Sequence, residues 1–119
     1  MASILQTNTA ALPVLTINAQ TGTTYTSVLS DANNTLVTLN NASAITLTIP
    51  PNSSVAYPVG TILNFTSLGA GIVTFAQGSG VTIVSTGATA SAPKIRAQYS
   101  SATAIQTTAN NWVVAGDIS

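Results

Sequence analysis

Cysteine, histidine and glutamate are all missing from this chain of 119 residues, and Asp31, Lys94, Arg96 and Asp117 are its only charged side chains. General acid–base catalysis, metal ligation and nucleophile activation need groups with a tunable pKa or a free lone pair, and those residue types are the ones absent. Without cysteine there is no disulfide framework. A net charge of zero and a pI near 5.7 leave no basic stripe to neutralise phosphates, so nucleic acid is not an expected partner. The chain reads as a non-enzyme with no metal and no cofactor, acting by shape and contact. With only 3% charged residues its surface also lacks the usual defence against self-association, which suits a protein that docks onto something.

Long hydrophobic runs are lacking as well. No stretch approaches the ~18 consecutive apolar residues that cross a bilayer, and no charge-rich amphipathic helix is present to lie on one. From Met1 to Leu15 there is no basic region, and Gln6, Thr7, Asn8, Thr9 and Pro13 interrupt the apolar residues, so no signal peptide is expected. The expectation is a chain made in the cytoplasm, with no membrane partner.

What is present is hydrophobic enough to fold: 45% hydrophobic residues and a mean hydropathy of +0.44 are the reverse of a disordered composition. Thr, Val and Ile recur at period two, and no helical i, i+3, i+4 pattern competes with them. Strands are expected at Val14–Asn18, Tyr25–Leu29, Leu36–Leu39, Ala44–Ile49, Thr61–Phe65, Ile72–Phe75, Val81–Val84, Lys94–Tyr99, Ala104–Thr107 and Trp112–Ala115. Gly, Asn and Pro punctuate them as turns. The fold expected is all-β, a single-domain sandwich or barrel of about ten short strands over 12–119. A polar arm, 1–11, precedes it. Val37 and Leu39 in one strand and Ile45, Leu47 and Ile49 in the next point to the core; the short loop between them, Asn40 to Ser43, reads as a hairpin turn, and Pro50 and Pro51 end the second strand. The run from Val37 to Leu47 is echoed from Val73 to Ile83 at an offset of 36, which reads as two similar hairpins rather than a repeat array (73 − 37).

Few residues carry possible chemistry. Ser91 and Lys94 have S-x-x-K spacing, but Pro93 lies between them and no further acylase motif follows. Asp31, after Ser30 and before Asn33, reads as a surface carboxylate in an Asx-type turn, and Asp117 as a second isolated one. Lys94 and Arg96 share one face of a strand, and Arg96 could meet a carboxylate such as Asp31 or Asp117 in a bidentate pair that fixes register between chains. Those four charges are the candidate interface. Tyr25, Tyr57, Tyr99 and Trp112 are candidate aromatic contacts for a sugar-stacking surface, although Trp112 also suits a core position. The four N-x-S/T triplets at Asn33, Asn41, Asn52 and Asn64 follow from composition.

The stretch from Tyr25 to Phe65, YTSVLSDANNTLVTLNNASAITLTIPPNSSVAYPVGTILNF, resembles a module of tailed-bacteriophage virion proteins, with its Y-T-x-x-L-x-D opening, its LVTLNNASAITLTIPP segment and its P-V-G-T turn. Arg96–Ser101, Ala102–Thr107 and Asn111–Asp117 continue the likeness, which covers about Thr23 to Ser119. The resemblance implies a β-rich particle-surface module, often trimeric, found in head decoration proteins and tail fibres. Its expectation for this chain is a homotrimeric capsid decoration (cement) protein on the outer surface of a phage head, with the major capsid protein as partner. A receptor- or glycan-binding module of a tail appendage is the alternative.

Overall fold

The computed structural model describes residues 14–119; the expected arm, 1–11, lies outside the described residues. The period-two alternation forms ten strands: β1 Thr16–Gln20, β2 Thr24–Thr26, β3 Thr35–Leu39, β4 Ile45–Ile49, β5 Ile62–Ser67, β6 Val73–Gln77, β7 Thr82–Ser85, β8 Lys94–Ile95, β9 Ser101–Thr108 and β10 Asn111–Gly116. They build a sandwich of a six-stranded sheet, in the order β1-β3-β5-β9-β10-β7, and a four-stranded sheet, β2-β4-β6-β8. The all-β expectation is therefore borne out. Inward side chains from both sheets make one core, in which Phe65 and Phe75 meet edge to face at 5.5 Å and Tyr57 and Trp112 at 5.4 Å.

The expected hairpin is not there. Val37 and Leu39 do face the core, as do Ile45, Leu47 and Ile49, but β3 and β4 sit in opposite sheets. From β1 to β8 the chain alternates between the sheets, laying down β1, β3 and β5 in parallel in one and β2, β4 and β6 in parallel in the other. Leu36 pairs with Asn64 and Ile45 with Val73, so the structural repeat between these circuits is 28 residues (64 − 36, 73 − 45). The offset of 36 instead links β3 with β6, strands of different sheets. Alternation shows which side chains go inward but not which inward-facing strand is hydrogen-bonded to which, and it serves a hairpin and a sheet-to-sheet crossing equally well.

The crossing between β3 and β4 has its own chemistry. Asn41 Oδ1 accepts from the Ser43 amide at 2.8 Å and its Nδ2 donates to the Thr21 carbonyl at 2.8 Å, tying this corner to the one before. The next corner packs on the other side, where the Gly71 amide donates to the Asn41 carbonyl at 2.8 Å. A Cβ at Gly71 would overlap the Ser43 carbonyl oxygen, and one at Gly69 the Asn41 backbone, so only glycine lets these corners stack.

Two expected strands are shorter than their alternation. Tyr25–Leu29 stops at Thr26 because Val28 enters a 3-10 turn, Leu29–Ala32. Lys94–Tyr99 stops at Ile95; the chain then turns, with Tyr99 at φ 71 and its amide donating to the Ser67 carbonyl at 2.7 Å. By contrast, β9 and β10 form a true hairpin, with Asn110 at φ 63 in its turn. The corner stack makes a direct prediction: Gly71→Ala should lower the unfolding free energy by about 2 kcal/mol or more, measured by urea denaturation. The same change at Gly80, where an added Cβ meets nothing within 4 Å but φ is +77, should cost less.

Candidate functional site

Asp31 is not a surface carboxylate. It is 2% exposed, and the 3-10 turn aims it between β1 and β2. There Tyr25 donates its hydroxyl to Oδ2 at 2.6 Å, Asn18 Nδ2 donates to Oδ1 at 2.8 Å and the Val28 amide donates to Oδ2 at 3.0 Å. Gln20 Nε2 supports Asn18 from behind at 2.7 Å. Short-range turn preference accounts for the turn at Asp31 and for its bond from the Val28 amide, but its other two partners, Asn18 and Tyr25, come from strands upstream, which local spacing cannot show. The carboxylate is a buried knot that fastens the first two strands to the turn. Burial first, and then the Asp31 carboxylate as acceptor and charge, hold the Tyr25 phenol above the ordinary tyrosine range.

Asp117 lies elsewhere, against Arg96 of its own chain. The pair is bidentate, Nε to Oδ1 at 2.6 Å and Nη2 to Oδ2 at 2.8 Å, and Ser100 Oγ donates to Oδ2 at 2.6 Å. The Arg96 guanidinium and then the Ser100 hydroxyl hold the Asp117 carboxyl down at about 2. The pair stands in water, with side-chain exposures of 59% and 44%, so it orients the C-terminal segment more than it stabilises the fold. Beside it the chain end pairs with β8: the Lys94 amide donates to the Ser119 carbonyl at 3.1 Å and the Ser119 amide to the Lys94 carbonyl at 2.9 Å. The four charges therefore do not converge. Asp31 is internal, Arg96 and Asp117 pair with each other, and Lys94 is exposed on β8.

Nor do the aromatics form a platform. Tyr57 and Trp112 are in the core, Tyr25 belongs to the Asp31 knot, and Tyr99 alone is open, at 72% exposure. The Tyr57 hydroxyl donates to the Val28 carbonyl at 2.8 Å and lies 2.9 Å from Ser27 Oγ, and burial pushes its phenol up to about 12. Val113 points outward, since side chains alternate along β10 and Trp112 and Val114 take the inner face. Gln106 went unnoticed in the sequence. It is buried, and its Nε2 donates to the carbonyls of Tyr57 and Pro58 at 2.9 and 3.0 Å, while Oε1 accepts from the Asn110 amide. A glutamine at an inward position of an alternating strand was the available signal. No cluster of three or more potential metal ligands occurs among the described residues.

The remaining feature is the contrast between the two outer faces. On the four-stranded sheet, Thr24, Thr46, Thr74 and Lys94 stand side by side across the strands, with Thr26, Thr48 and Ala76 in the next row. That face is hydroxyl-rich and ends in a cation. On the six-stranded sheet, Ile62, Ile105, Val113 and Val84 lie in register across β5, β9, β10 and β7. Ile62 and Val84 are each 50% exposed. Ile17 and Leu36 add to the face from β1 and β3, and no outward-pointing strand residue on it is charged. Two pairs of its polar side chains satisfy each other: Thr103 Oγ1 donates to Asn64 Oδ1 at 2.9 Å, and Thr66 and Ser101 share a hydrogen bond at 2.7 Å. Beyond Ile62 the row opens into a groove of ≈ 360 Å³ lined by Leu15, Asn34, Thr61 and Asn64 among others. Covering such a face strips water from apolar carbons and from hydroxyls that already have partners, at little desolvation cost.

No family model, curated protein or solved structure matches the chain.

Two outcomes follow from the buried polar groups. Asp31→Ala leaves the Tyr25 hydroxyl and the Val28 amide without their acceptor and Asn18 Nδ2 with only the Tyr25 oxygen at 2.8 Å, and should cost about 3 kcal/mol in a denaturant titration. Both phenols are held neutral by the fold, so the folded state binds protons more tightly than the unfolded chain. Stability is then fully present below the ordinary tyrosine value of about 10 and is lost as pH rises towards 12. Thermal unfolding followed from neutral pH to about pH 11 should show that decline, and Tyr57→Phe should flatten part of it.

Proposed function

We propose that the chain is a virion structural protein of a tailed bacteriophage, a decoration protein that binds the outer surface of the assembled head and stabilises contacts between capsomers. The observation that carries this reading is the contrast between its two outer faces, one hydroxyl-rich and the other dry, uncharged and internally hydrogen-bonded. The dry face docks on the major capsid protein, and the threonine face with Lys94 is turned to solvent. The likeness of Tyr25–Phe65 and of the C-terminal strands to phage particle-surface modules supports the same reading. Stabilisation comes from mass action: a protein that binds only the assembled shell draws the equilibrium towards assembly. The tail-appendage alternative called for an aromatic stacking surface, and Tyr57 and Trp112 are committed to the core.

Two measurements test the proposal. Gel densitometry of purified virions should give hundreds of copies per particle, whereas a few tens would place the chain on the tail. Ile105→Lys puts a charge in the middle of the dry row without touching the core, and should weaken binding to undecorated heads by roughly tenfold or more. Unchanged binding would show that another surface makes the contact.

A further inference from the structure

The edges of the two sheets are treated unequally. In the four-stranded sheet β2 has only three residues, and β8 is covered by the chain end through Lys94 and Ser119. In the six-stranded sheet the β7 edge is blunted by Gln77, whose Oε1 accepts from the Ile83 amide at 2.8 Å. At the other edge β1 has five residues with no proline, charge or bulge. Its ladder to β3 uses the backbone groups of Thr16, Asn18 and Gln20, as the bonds from the Thr16 amide to the Asn34 carbonyl and from the Asn40 amide to the Gln20 carbonyl show. By alternation the amides and carbonyls of Ile17 and Ala19 point away from the sheet, and they have no partner among the described residues.

We infer that β1 is the contact between copies of this chain, pairing antiparallel with β1 of a second copy across a twofold axis at Asn18. The inference rests on the proposed shell binding only for its purpose; the pairing itself follows from the edge. Two outward-pointing residues flanking a central one make the edge self-complementary. Ile17 lies opposite Ala19 of the second copy and exchanges both hydrogen bonds with it, the reciprocal pair does the same, and Asn18 faces its own counterpart between them. Four backbone hydrogen bonds result, in a closed, isologous dimer. Nothing in β1 repels a copy of itself, whereas native edges that must stay open usually carry lysine, proline or a bulge.

Area gives the pairing a purpose. Six strands spaced about 4.8 Å apart and about five residues long make a face of about 24 by 17 Å, or roughly 400 Å². That is about half of the roughly 800 Å² per partner that a specific interface buries. A twofold axis perpendicular to the sheet turns both dry faces the same way and joins six strands to six, so the dimer presents the area one copy lacks. The threefold assembly implied by the phage resemblance needs a different contact.

The full-length chain tests this by sedimentation equilibrium with amide hydrogen exchange. The wild type should have twice the mass of one chain, with the Ile17 and Ala19 amides protected. Ala19→Pro removes a donor that makes no bond within the described chain, and prolines are tolerated on strand edges; it should raise the dimer dissociation constant by roughly tenfold or more. Ile17→Lys, which places like charges near each other across the junction, should do the same, and far-ultraviolet circular dichroism should be unchanged in both. A monomeric wild type, or a trimer whose mass neither substitution moves, overturns the inference. So does protection of the Ile17 and Ala19 amides in a monomer, which would mean that the chain covers its own edge. If head binding survives any of these results, the decoration reading stands without the dimer. If the dimer forms but heads are not bound, the decoration reading fails alone.

Discussion

The chain must cross between two sheets every few residues, and this crossing is the constraint on which the rest of the structure depends. Each circuit spends one strand on each sheet, so neighbouring strands in a sheet are separated by a whole turn of the winding. The corners must stack as closely as the strands do, at about 4.8 Å. Asn41 and Gly71 make that possible, one by bonding the corner before it through its side chain and the other by having no side chain to hold the next corner off. Once the corners stack, the parallel registers of β1, β3 and β5 and of β2, β4 and β6 follow, and with them the alignment of inward residues into a single core.

Much of this was legible from residue order alone. Strand positions, the inward sets Val37/Leu39 and Ile45/Leu47/Ile49, and the turn at Asn110 were readable because they depend on local alternation and local turn chemistry. Partnership between strands was not, because a period of two assigns a face without assigning a neighbour. The same limit explains Asp31. Its turn could be read from Ser30 and Asn33, but its burial depends on Asn18 and Tyr25 arriving from strands that no short-range rule brings near. Gln106 shows a related limit: its inward position is readable from alternation, but the carbonyls it serves belong to Tyr57 and Pro58, more than forty positions earlier.

The scarcity of charge acts differently inside and outside. Inside, the one buried carboxylate has no cation to pair with, so a phenol, an amide side chain and a backbone amide compensate it, which is how an ionisable group is kept in low-dielectric surroundings without a salt bridge. Outside, Arg96 and Asp117 neutralise each other, and Lys94 remains as the one exposed cation without a salt-bridge partner among the described residues. Neither sheet face can therefore rely on electrostatics to choose a partner or to reject one.

Specificity must then come from what covers each face well. A row of threonines offers hydroxyls that water satisfies as readily as any protein does, so burying it gains little. The Ile62–Ile105–Val113–Val84 row is the opposite case: water loses nothing by leaving it, and beside it Thr103 with Asn64 and Thr66 with Ser101 already bond across the strands. Shape is the only discriminator left, and a twisted sheet with a fixed register has a well-defined shape. Contact through such a face depends little on ionic strength, because there is no charge pair for salt to screen. On the proposed reading, a charge-poor chain favours one side for contact, and it does so by arranging which of its neutral side chains are already spoken for.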